Sequence, residues 1–327
     1  MIDLLPLLEN ATKKMRESMT QWFAGYPPGM PWTIVSDYCI GDKEKNNDVF
    51  SFVVIANHDK TENIIKYISA AVPRDLKKVQ SAPLGLIQYL TCPQPITFSV
   101  SFVIDQESSL LRDYLRVEDM VDFIPDSSET IEIFRNNSHA SSSVDPKYFD
   151  EALQRLRVFG KDLTRKQPNA RLSRQIHLAA AFAAIMFSLV TESTGAGYIR
   201  WISDRDKLIE HNDTVVYDLA YFYFALMASN RPGLTRDAEG HIRVEIPKIM
   251  FELPDKTGKN RFDALIRLPD YLAGTLADMA PDLSCSREKF CEIVDSVFVD
   301  STTNCVVQLS SNGERITIRN ASLRTEQ

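Results

Sequence analysis

The stretch WTIVSDYCIGDKEKNNDVFSFVVIAN, residues 32–57, decides how the rest of the chain is read. Two runs rich in β-branched and aromatic residues flank a polar, charged connection, the pattern of a β-hairpin. Their apolar residues run consecutively instead of alternating, so both arms are expected inside a sheet covered on its two faces. The first arm carries Asp37 to its end. A third strand, PITFSVSFVID, follows at Pro95–Asp105. Between them, Ile64, Ile65, Ile68 and Val72 recur at helical spacing from Thr61 until Pro73 interrupts, and RDLKKVQSAPLGLIQYL has mixed helix and loop character.

Upstream, Leu4, Leu5, Leu8, Met15, Met19 and Phe23 predict one amphipathic helix over residues 1–24, stopped by GYPPGMP. Downstream, short helical pieces are expected between Gln106 and Ser143, ending in the Ser-rich loop NNSHASSSVDP. Helices are predicted at Pro146–Asp162, Leu172–Glu192 and Lys207–Ala228. Strands are predicted at Tyr198–Asp204, after the glycine turn of Gly195 and Gly197, and at His241–Leu253, followed by the turn DKTGKN. FDALIRLPDYLAGTLADMA reads as a helix in which Pro269 marks a start or a kink. CVVQLSSNGERITIR closes the chain as two strands around an Asn-Gly turn.

Composition narrows the function classes. The 327 residues are 44% hydrophobic, enough for a sizeable core. A net charge of −7 and a pI near 5.4 argue against a chain that coats nucleic acid through general basicity, while leaving room for a local basic groove beside bound cations. Five scattered cysteines without CxxC spacing indicate neither a disulfide framework nor a zinc module, and point to the cytoplasm. The apolar stretch Ile176–Val190 is shorter than the roughly 20 residues needed to cross a bilayer, so it is expected to be a buried core helix, with no membrane partner. The histidines are dispersed, and His177 reads as a core residue. No GxSxG or GxxxxGK[ST] occurs, and Cys39 lacks the motif of a nucleophile.

Acidic residues recur where an α/β order would bring segments together: Asp37 ending the first strand, Asp75 in VPRDLK, Asp204 and Asp206 after YIRWIS, and Asp270 in LPDYLAG. Each also has a plain structural use, because aspartate caps helices and favours turns. Asp75 beside Lys77 and Lys78 reads equally as a solvated face, and Asp206 as a helix cap. Jointly they offer hard oxygen donors suited to Mg²⁺ or Mn²⁺. Arg165, Lys166, Arg171 and Arg174, around a helix start, are candidate phosphate contacts.

The segments IVSDY (34–38), RDLK (74–77), WISDRD (201–206) and IRLPDYLAG (266–274) resemble motifs of the bacterial group known as domain of unknown function 3800. The resemblance spans about residues 31–280. It implies an α/β protein with an RNase H-like mixed sheet flanked by helices over 31–280, with a helical insertion around 106–192, which a C-terminal helix and β-hairpin over 281–327 would extend. The N-terminal helix, 1–30, would pack on that core. It further implies a metal-dependent nuclease in which Asp37, Asp204 and Asp270 hold Mg²⁺ or Mn²⁺, Asp75 completes the catalytic set and nucleic acid is the substrate. Where the family continues the first aspartate into Glu-Ser-Gly, this chain has Tyr38-Cys39. The alternative is therefore a catalytically inactive RNase H-like module with a protein partner in a larger bacterial or phage-defence assembly.

Overall fold

The computed structural model describes residues 4–106, 108, 110, 116–136, 146–229, 248–252, 262–312 and 315–324. In chain order, the helices α1 (Leu4–Ala11) and α2 (Lys13–Phe23) lead into strands β1 (Trp32–Cys39) and β2 (Asn47–Ala56). Next come α3 (Thr61–Ala71), a 3-10 turn (Leu76–Lys78), α4 (Leu84–Leu90) and β3 (Thr97–Asp105). Three long helices follow, α5 (Val117–Asn136), α6 (Pro146–Leu163) and α7 (Ala170–Thr194), and then β4 (Tyr198–Ser203). The remainder is α8 (Lys207–Glu210), α9 (Val215–Ser229), β5 (Lys248–Glu252), α10 (Asp263–Asp278), α11 (Glu288–Ile293), a π-helical turn (Val294–Phe298), β6 (Asn304–Ser311) and β7 (Ile316–Ala321).

The strands form one seven-stranded mixed sheet in the order β5-β4-β1-β2-β3-β6-β7. β1, β2 and β3 make an antiparallel meander. β4 and β5 run parallel to β1 on one side, and β6 runs parallel to β3 on the other. Consecutive apolar residues in β1 and β2 are explained by this placement, because both strands are interior and both faces are covered. One face packs against α1, α2, α5, α6, α7 and α9, and the other against α3, α4, α10 and α11. Side chains alternate between these layers: Ile34 and Trp201 belong to the first core, Val35 and Ile202 to the second.

Several expectations change. The N-terminal helix is two helices, broken at Thr12, whose buried hydroxyl donates to the Leu8 carbonyl at 2.8 Å. Among the described residues after Gln106, Val117–Asn136 is a single 20-residue helix, α5, with Pro125 inside it. Pro269 lies within α10 and does not begin it. Helix 207–228 is divided, because Asn212, Asp213 and Thr214 take left-handed φ angles of 45°, 54° and 71° between α8 and α9. α7 is longer than its apolar stretch suggested. By length and composition it could cross a membrane, and 83% of its most apolar window is buried inside the fold. It ends at Gly195, whose φ of 61° is the left-handed C-cap geometry that glycine tolerates. His177, within α7, is fully buried; its Nδ1 meets the Tyr223 hydroxyl at 2.7 Å, its Nε2 has no hydrogen-bond partner among the described residues, and burial lowers its pKa to about 3. The DKTGKN turn and most of the Ser-rich loop lie outside the described residues, as does 241–247 of the strand predicted at His241–Leu253. All five cysteines are free thiols.

Candidate active site

The register of β1 against β4 pairs Ser36 with Ser203, and the Asp204 amide donates to the Ser36 carbonyl at 3.1 Å. Asp37 and Asp204 therefore stand side by side at the carboxyl ends of two neighbouring parallel strands. Asp37 follows Val35 by two residues, which turns it to the face covered by α10. The opposite face at this level carries a separate polar group: Trp201 Nε1 donates to Ser36 Oγ at 2.9 Å, and Ser36 Oγ lies 2.9 Å from the Tyr38 hydroxyl.

Helix α10 lies over β1 and β2 and brings Asp270 above the strand pair. Asp270 Oδ2 accepts a long bond, 3.4 Å, from the Leu76 amide. One helical turn later a Cβ on Gly274 would collide with the Leu76 side chain. Asp270 and Gly274 thus act on the same residue, one holding its amide and the other leaving room for its side chain. This gives a physical reason for the spacing in LPDYLAG.

The four aspartates are electrostatic neighbours. Asp37 is pushed well above the ordinary carboxylate range, first by burial, then by the charges of Asp270 and Asp204. Asp204 is raised by burial, with Asp263 and Asp75 adding to it. Asp270 is raised by burial against the opposing Leu76 bond and the nearby Lys77. Among the described residues, Asp37 Oδ1 and Asp204 Oδ1 each accept only from the next residue's amide, at 2.8 and 2.7 Å. No cation pairs with either among the described residues. Asp75 differs: Lys78 Nζ sits 2.5 Å from its Oδ2 and Arg267 Nε lies 3.4 Å from its Oδ1, and these contacts lower its pKa. Asp206 caps α8 through a 2.8 Å bond from the Ile209 amide.

Among the described residues, no three His, Cys, Asp or Glu side chains converge closely enough as placed to hold one ion. The carboxylates that lack cations nevertheless have the chemistry for one. Partly buried anions without countercharge are costly, and all the donors are hard oxygens. Cys39, nearby, is raised to about 11 by burial and stays a thiol at neutral pH.

The four expected phosphate contacts have different surroundings. Arg165 is ion-paired with Asp162 at 2.7 Å, and Arg174 is engaged in an interaction within the fold. Arg171 packs its guanidinium on Gly41 of the β1–β2 turn near Asp48. Lys166 remains exposed. Among the described residues, the cations that approach the acidic centre include Lys77, Lys78 and Arg267. Of these, Lys77 and Lys78 were legible in sequence only as a solvated face, and Arg267 carried no signal of its own. Asp263, seven residues before Asp270 and two helical turns away on the same helix, also carried no signal of its own and lies close enough to raise the Asp204 pKa.

Comparison of the chain with protein-family models, with curated proteins and with solved structures found no match in any of the three.

Proposed function

We propose that the acidic centre binds Mg²⁺ or Mn²⁺ through Asp37, Asp204 and Asp270, with Asp75 as a fourth ligand, and that the chain hydrolyses a nucleic-acid phosphodiester. The observation that carries this reading is the pairing of Asp37 with Asp204 across β1 and β4 beneath Asp270, with no cation matched to the two strand carboxylates among the described residues. The strand order β5-β4-β1-β2-β3, with its antiparallel meander and two parallel additions, supports an RNase H-like sheet of the kind implied by the resemblance to domain of unknown function 3800.

Bound ions of this type supply a water of lowered pKa and neutralise charge at the departing oxygen. The chain's own part is to orient that chemistry. The two strand carboxylates are fixed by backbone register, whereas Asp270 is set by its helix and by the Leu76 amide.

The test is thermal. Mn²⁺ at a hundred times its dissociation constant should add about 2.7 kcal/mol of stability, and Asp37→Asn should abolish that increment together with cleavage of end-labelled DNA or RNA. Absence of both shift and cleavage in the native chain would retire the nuclease reading. The reading that would then stand is the inactive interaction module in a larger assembly, to which Tyr38-Cys39 and the ion-paired state of Asp75 already lend support.

A further inference from the structure

The segment carrying Asp75 is held from beneath by three side chains of α10 and α11. Arg267 Nη1 donates to the Val72 carbonyl at 2.9 Å, and the Tyr271 hydroxyl to the Arg74 carbonyl at 3.0 Å. Lys289 Nζ donates to the Leu76 and Val79 carbonyls at 2.8 and 2.9 Å. Lys289 is 2% exposed, and a buried ammonium is unfavourable unless its charge is answered. Its hydrogen bonds go to neutral carbonyls, and Asp270 and Asp278 answer the charge from further away. A lysine committed in this way to one surface loop makes the loop rigid in a place where rigidity matters.

Outward, the same loop borders a cavity of about 490 Å³ lined by Arg74, Lys78, Gln80 and Ser81 between Pro73 and Pro83. The loop's carbonyls at 72, 74, 76 and 79 are bound on the core side. The Arg74 guanidinium and the Gln80 and Ser81 amides have no partner among the described residues. Two cations and unengaged amides on a pre-set backbone are what an oxyanion needs, and a guanidinium matches a phosphate in two-point geometry.

We propose that this cavity is the phosphate-binding subsite of the acidic centre, taking a phosphodiester of the same nucleic-acid strand with Arg74 and Lys78 as its charged contacts. The inference rests on the nuclease reading of that centre and adds where the strand is gripped. It also assigns a role to the Lys78–Asp75 ion pair: a phosphate that takes over Lys78 releases an oxygen of Asp75 toward the carboxylate group.

Binding of an end-labelled single-stranded DNA, and of RNA of the same sequence, can be followed by fluorescence anisotropy in EDTA, where cleavage cannot interfere. Arg74→Ala with Lys78→Ala should weaken binding of at least one strand type by roughly 10-fold or more. It should also reduce the slope of log affinity against log salt by about 1.4, since each single-strand phosphate that is no longer neutralised takes away about 0.7. Arg74→Glu alone should weaken binding further than Arg74→Ala. Equal affinity and equal slope in the double variant, or no binding of either strand by the native chain, overturns the proposal. The two readings separate cleanly. Unchanged binding alongside a Mn²⁺ melting shift removes the subsite and keeps the metal centre, whereas lost binding without any Mn²⁺ shift does the reverse.

Discussion

Asp37 bears most of the electrostatic strain of the centre. Its pKa in the folded protein is raised, by burial first and by Asp270 and Asp204 next, so the native state holds a proton that the unfolded chain releases near its ordinary value of 3.8. The favourable contribution is complete below that value and is lost as pH rises through the folded pKa. Ionising Asp37 therefore destabilises the metal-free fold. Asp37→Asn should raise the metal-free melting temperature at pH 7 and flatten its decline above about pH 4, read from melts in EDTA across that range. A lower melting temperature in the variant would show that the carboxylates are not strained against one another. The same substitution that removes the proposed metal response thus stabilises the chain, the trade expected where a site is built against stability.

Among the elements, α10 does most to assemble the centre. Its residues reach β1 through Asp270, the loop at 72–79 through Arg267 and Tyr271, and Leu76 through the space above Gly274. Glycine inside a helix ordinarily costs about 1 kcal/mol relative to alanine, so Gly274→Ala would stabilise an exposed helix. Here the methyl must displace the Leu76 side chain, so the variant should lose stability and weaken Mn²⁺ binding together, seen as a lower melting temperature and a smaller metal-induced shift. A stabilised variant with an unchanged shift would mean that Leu76 moves freely and that the loop does not set the site. A comparable close approach occurs at Gly85, where a Cβ would meet the Ala71 carbonyl at 2.5 Å. It joins α3 and α4.

At the scale of the molecule, one sheet with two unequal covers sets what is rigid. The larger cover is tied internally by Arg155 of α6, which makes a two-point contact with the buried Asp218 of α9 at 2.6 and 3.0 Å. Asp218 is 2% exposed, and without it Arg155 keeps only its longer contacts to Glu151 and Asp213, at 3.8 and 3.9 Å. Asp218→Ala should therefore lower stability by about 3–5 kcal/mol, measured by denaturant unfolding, while leaving the Mn²⁺ increment in place because α9 lies on the face opposite Asp270. Loss of the increment as well would indicate that the two covers are coupled through the sheet.

Much of this architecture is legible in local sequence. Consecutive apolar residues in 32–39 and 47–56 announce interior strands, the Asn-Gly of the tail announces the β6–β7 hairpin, and aspartates at the ends of β1 and β4 announce a centre. These signals survive because periodicity and turn chemistry are properties of neighbouring residues. Helix division was less legible: three consecutive left-handed residues at 212–214 interrupt a pattern that remains apolar on both sides. The docking of β6 in parallel on β3 and of Asp37 beside Asp204 comes from the tertiary structure. That structure alone decided that Lys289, more than two hundred residues away, holds the Asp75 loop. Parallel pairing and a buried lysine's choice of carbonyls depend on contacts between distant segments, and those contacts leave no period in the chain that makes them.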